Sequence, residues 1–113
     1  MRVTTSFFVS ALVRRYFAAG AMAVIRHHGA DEAGAVFIVL DRLEGTVDLY
    51  APAPQSMFAT GRPDERRFQR VGASLSPLEV SERLQRELRF DPDAWFVDVE
   101  DRDGRLFFDI EPE

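Results

Sequence analysis

The spacing of apolar positions divides the chain into two helical and six strand-like stretches. From Phe7 to Ala19, Phe8, Val9, Leu12, Val13, Tyr16 and Phe17 recur at helical spacing, while Ser10, Arg14 and Arg15 fall on the other side. Gly20 sits where such a helix would end. Residues 21–28 have a strand-like composition, and Gly29 to Gly34 supply a turn. Residues 35–42 are apolar on both faces until Asp41, the pattern of a central strand. After a turn at Glu44-Gly45, Val47, Leu49 and Ala51 alternate with Thr46, Asp48 and Tyr50. Three consecutive strands joined by short turns predict an antiparallel meander.

The second half begins with an aperiodic stretch, residues 52–65, that holds Pro52, Pro54, Gly61 and Pro63. A loop of this length exceeds what a small domain usually needs. Arg66–Gly72 reads as a short strand carrying Phe68 and Val71. Ser76-Pro77-Leu78-Glu79 combines an N-cap serine, a proline at the first helical position and a glutamate that completes a capping box. The helix it opens runs to about Phe90, with Val80, Leu84 and Leu88 one turn apart, and Asp91-Pro92 stops it. Trp95, Val97 and Val99 then alternate with Phe96, Asp98 and Glu100. Asp101-Arg102-Asp103-Gly104 is a turn signal before Leu106, Phe108 and Ile110, which predicts a C-terminal β-hairpin. The expected architecture is a single α+β domain over residues 1–113: an N-terminal helix, a meander of about three strands, a short strand, a second helix and the hairpin.

Composition narrows the chemistry. At 113 residues and 46% hydrophobic, with ten Phe, the chain has ample material for one core. It contains no Cys, no Lys and no Asn, and all 14 basic residues are Arg. That removes thiolate nucleophiles, Schiff-base lysines, P-loop lysines and Cys-ligated zinc. Absent cysteine fits a reducing, cytoplasmic setting. Arg14 and Arg15 interrupt the apolar N-terminal run, so no export signal is expected. No stretch is long enough to cross a membrane. The net charge of −5 is uneven: residues 90–113 carry nine acids against two Arg, whereas residues 1–89 carry twelve Arg against ten acids. Overall acidity argues against general nucleic-acid binding, while the first part can still hold local basic patches.

No motif assembles an active site. His27 and His28 are adjacent, and neighbours on a strand point to opposite faces, so a shared metal is disfavoured. Aligning Gly104 with the glycine of a calcium loop puts Val99 and Ile110 at the decisive ligand positions. Asp98 and Glu100 share one face of a strand but read as a solvent-facing pair. Gly72-Ala73-Ser74-Leu75-Ser76 lacks the final glycine of a nucleophile elbow. No catalytic residue, cofactor site or metal site is expected.

The cluster Arg62, Arg66, Arg67 and Arg70 is the clearest remaining signal; it flanks a loop bearing Met57 and Phe58. Such a cluster can bind an anion, an RNA backbone or an acidic protein surface. It can equally dock on the chain's own acidic C-terminal segment. Strand alternation divides it, because Arg66 and Arg70 point one way and Arg67 the other.

Three blocks carry a family resemblance. They are Val9-Ser10-Ala11-Leu12 with Arg14-Arg15 and Ala19-Gly20-Ala21; Arg42-Leu43 with Gly45-Thr46 and Leu49-Tyr50; and Phe90-Asp91-Pro92-Asp93 with Trp95 and Glu100-Asp101-Arg102-Asp103-Gly104-Arg105. Together they resemble the bacterial family named domain of unknown function 1491. The resemblance implies one compact domain and brings no activity, ligand or catalytic residue.

The leading expectation is a non-catalytic interaction protein that self-associates, as in a homodimer, or binds an unidentified protein partner. It would act through an exposed sheet edge or the 52–70 loop. The first alternative is an RNA- or anion-binding module using Arg66, Arg67 and Arg70 with Phe58 or Phe68. The second is a small-ligand binder or enzyme near Trp95 and its neighbouring carboxylates.

Overall fold

Two helices cover opposite faces of one six-stranded sheet, and each face carries its own apolar core. The computed structural model describes residues 3–54 and 66–112. In chain order the elements are α1 (Thr5–Ala18), β1 (Met22–His27), β2 (Val36–Asp41), β3 (Val47–Pro52), β4 (Arg67–Leu75), α2 (Pro77–Phe90), β5 (Trp95–Glu100) and β6 (Asp109–Ile110). The class is α+β, and the sheet is mixed, in the order β1-β5-β2-β3-β4-β6. The β2–β5 and β4–β6 pairs are parallel and the other three are antiparallel.

Period-two alternation explains the layering. Val36, Ile38 and Leu40 of β2, with Trp95, Val97 and Val99 of β5, face α1 and its Val9, Leu12 and Tyr16. Phe37 and Val39, with Val47, Leu49 and Ala51 of β3 and Phe96, face α2 and its Val80 and Leu84. A fully buried Val or Leu contributes about 1.5–3 kcal/mol relative to exposure, so β2 and β5, filled on both faces, anchor the sheet.

Both helices end as their sequences require. Thr4 Oγ1 caps α1 by accepting from the Phe7 N–H. At the other end Gly20 takes φ +86, and the N–H groups of Gly20 and Ala21 donate to the Phe17 and Tyr16 carbonyls. At α2 the capping box is complete: Glu79 N–H donates to Ser76 Oγ at 3.1 Å, and Ser76 N–H donates to Glu79 Oε1 at 3.2 Å.

Two expected pairings are corrected. The strand at 21–28 does form, but β5 lies between it and β2, so only β2 and β3 pair as the meander predicted. The C-terminal hairpin does not form. Both edges of β5 are already taken, by β1 and by β2, which leaves no ladder for a returning strand. The chain after Gly104 instead crosses α1 and adds Asp109–Ile110 in parallel to β4. The expected short strand at Arg66–Gly72 starts at Arg67 and extends to Leu75, with register shifts against β3 and a positive φ of 52° at Ser74.

Candidate interaction edge

The arginine cluster divides. Arg66 turns inward: its Nη2 donates to the Val3 carbonyl at 3.2 Å and to Thr5 Oγ1 at 3.1 Å, and its guanidinium lies 5.3 Å from the Phe8 ring centroid. Arg67 turns outward and pairs with Glu111 at 3.4 Å, so this residue docks on the chain's own acidic C-terminal segment. Arg70 borders an open hollow of about 400 Å³ with Tyr50, Leu106, Ile110, Glu111 and Pro112. Arg66 thus lies against α1, while Arg67 and Arg70 both lie near Glu111. Met57, Phe58 and Arg62 lie outside the described residues.

The Trp95 region is core. Trp95 is 1% exposed, and its indole N–H donates to the Ala30 carbonyl at 2.8 Å. Gly29 and Gly34 press against it so closely that an added Cβ at either would meet the Asp93 carbonyl oxygen and the indole ring. The expected ligand or enzyme site at Trp95 is corrected on this ground: the indole is closed off and fully hydrogen-bonded. Asp98 pairs with Arg26 at 2.9 Å, while Glu100 is exposed, so the two carboxylates do not act as a pair. His27 Nδ1 lies 2.8 Å from the Ala94 carbonyl, and the His28 ring packs 4.0 Å from the Trp95 ring. Among the described residues no group of three or more His, Asp or Glu is placed to hold a metal ion.

The densest polar cluster ties the two ends of the chain together. Asp101 is buried, and its carboxylate accepts from Arg105 Nε at 2.8 Å and Nη2 at 3.1 Å, and from the N–H groups of Asp103 and Arg105. The Arg105 hydrogen bond holds this carboxyl below the usual carboxylate range. Arg105 Nη2 also donates to the Ala19 carbonyl at the end of α1. Tyr16 Oη donates to the Arg105 carbonyl at 2.7 Å and accepts from Phe107 N–H at 3.3 Å, and burial pushes its phenol up. The knot fastens the end of α1 to the C-terminal segment.

What remains exposed and chemically distinct is β1. It ends the sheet, and among the described residues its outer side has no neighbour. Met22 is 51% exposed, Val24 55% and Ile25 37%. Met22, Val24 and Arg26 share the α2-side face; Ala23 and Ile25 share the α1-side face. One flank of α1 leans on the far side of the sheet, with Phe8 stacked on Phe68 and Arg15 over Phe107. At 100° per residue Phe17 stands half a turn from Phe8 and is 52% exposed. Met22 and Val24 on one face and Ile25 on the other thus leave exposed apolar side chains on both sides of this terminal strand. The sequence points to an exposed sheet edge without specifying β1. Met22-Ala23-Val24-Ile25 is apolar throughout, which in isolation looks like a buried strand.

The family model described as Protein of unknown function (DUF1491) matches residues 3–109. The chain belongs to this family. Solved structures agree with the fold. One, a protein from A. tumefaciens determined in solution, is 39% identical with a TM-score of 0.81, covering 100% of this chain and 99% of that one. Another, a DUF1491 family protein from Caulobacter crescentus CB15 determined by crystallography, is 35% identical with a TM-score of 0.79, covering 99% of this chain and 100% of that one. No curated protein matches the chain. Two of the blocks that carry the family resemblance, Ala19-Gly20-Ala21 and Asp101–Arg105, meet in the fastening described above. Among the described residues no helix is long and apolar enough to cross a membrane.

Proposed function

We propose that this protein is a non-catalytic interaction protein that works by strand addition: the outer edge of β1 accepts a β-strand from a protein partner. The observation that carries the reading is the exposure of Met22 and Val24 on an edge strand. Sheet edges are ordinarily blunted by charge, proline, bulges or a covering segment. The opposite side of the sheet follows that rule, with β6 laid over the start of β4 and register shifts along it. Over Met22–Ile25, β1 carries none of these devices, and its register with β5 is unbroken until Ile25. Main-chain hydrogen bonds would supply affinity, and the flanking apolar side chains would supply selectivity.

Amide chemical shifts test this. Titration with a designed strand peptide of alternating Val and Thr should shift the amides of Met22–Ile25 and slow their exchange with solvent. Shifts confined to the surroundings of Arg70, or none at millimolar peptide, would overturn the reading.

A further inference from the structure

We infer that the strand received by this edge is β1 of a second copy, paired antiparallel about a two-fold axis through Val24; this rests on the strand-addition reading. The argument is self-complementarity. An antiparallel pair centred on Val24 places Val24 on Val24, Met22 on Arg26, and Ala23 on Ile25. Directly opposite side chains then stand about 4.5–5.5 Å apart at Cβ.

Each of these pairs fits. On the α1 side, the bulk of Ile25 meets Ala23, which is small and buried. A large residue thus faces a small one twice, once on each side of the axis. On the α2 side, Val24 packs on its own copy, and the aliphatic stem of Arg26 lies along Met22.

Charge favours the same register. Glu100 sits beside Met22 on β5, and Asp98 sits beside Val24. Arg26 already pairs with Asp98 in its own chain. Antiparallel pairing carries Arg26 of the second copy toward Met22, one strand away from the exposed Glu100. Arg26 of β1 and Glu100 of β5, which lies behind Met22, thus stand toward opposite ends of this border, and the two-fold axis exchanges them. A parallel pairing would instead set the Arg26 residues side by side. The chain carries −5 overall, but at this edge Arg26 offsets Asp98 in each copy, and Glu100 is the charge that the second copy's Arg26 approaches. The product is a continuous twelve-stranded sheet with two α1 helices on one face.

The test exploits the absence of cysteine. Val24→Cys is then the sole thiol, and mild oxidation should link two chains through it, whereas Ala73→Cys on β4 should not cross-link. Light scattering over about a hundredfold range of concentration should show wild type approaching twice 12.8 kDa. Val24→Lys sets two like charges on the axis and should remain monomeric, with an unchanged circular dichroism spectrum because the side chain points into solvent. A wild-type protein that is monomeric throughout, yet still responds to the strand peptide at Met22–Ile25, would overturn the second-copy inference and leave strand addition standing. A dimer that Val24→Lys leaves intact would overturn it as well.

Discussion

Replacing Tyr16 by Phe isolates the fastening between α1 and the C-terminal segment. The ring keeps its place in the core and its contact with Phe107 at 4.7 Å between centroids. Only the hydroxyl goes. It donates to the Arg105 carbonyl at 2.7 Å and accepts from Phe107 N–H at 3.3 Å. Stranding one buried polar partner costs about 1–3 kcal/mol. The second bond is at the long end of the useful range and counts for less. The expected loss is about 2–3 kcal/mol. Urea unfolding followed by Trp95 emission measures it, since the single tryptophan is buried when folded. With an unchanged slope, the midpoint should fall by about 1–2 M. Alkaline pH gives a second readout. Burial raises the Tyr16 pKa above 10.0 in the folded chain, so the unfolded chain ionises first. Wild type should therefore lose stability as pH climbs past 10.0 and through the folded value, and Tyr16→Phe should lack that share of the decline. A midpoint shift worth less than about 0.5 kcal/mol, within the range of an ordinary surface change, would refute the fastening.

Four further outcomes are expected. Asp101→Asn should destabilise the protein at neutral pH and flatten its acid limb: the folded carboxyl titrates below 3.8, so its contribution is present above that value and is lost as pH falls through the folded pKa, as an acid titration of the urea midpoint will show. Gly34→Ala would drive a methyl into the Asp93 carbonyl and within 2.7 Å of the Trp95 ring, with a cost of about 1–3 kcal/mol and a red-shifted Trp95 emission. Ser76→Ala should cost about 1 kcal/mol through loss of the capping box, whereas Arg67→Ala, breaking a solvent-exposed pair with Glu111, should cost under about 1 kcal/mol in the same urea assay.

Local signals in the sequence held because short-range chemistry decides them. Ser76 and Glu79 cap α2, Gly20 closes α1, and the unbroken apolar run of residues 36–40 marks a strand buried on both faces. Strand order was less legible. Trp95–Glu100 alternates just enough, through Asp98 and Glu100, to resemble a half-exposed hairpin arm. Phe96 is in fact buried in the second core, and Asp98 is tolerated there because Arg26 reaches it from β1. That compensation comes from a residue 72 positions away, which no local pattern reveals. The same limit applies to the candidate edge. Met22 and Val24 carry the composition of interior residues, and only the position of β1 at the end of the sheet exposes them. Within the arginine cluster, neighbouring residues diverge, so Arg66 reaches Thr5 of α1 while Arg67 reaches Glu111.

The slot filled by β5 also governs how the molecule can be made. Synthesis delivers β1 and β2 early, but the strand that joins them arrives only after most of the polypeptide has left the ribosome. Until then β1 has no place to attach, and the inner ladder edge of β2 stands bare. Nascent chains consequently pass through a stage with two unsatisfied strand borders, both rich in Val and Ile, and maturation must wait for a distant segment to thread between them. Any stop codon ahead of residue 95 would release a product that is missing its keystone and is destined for degradation or clumping.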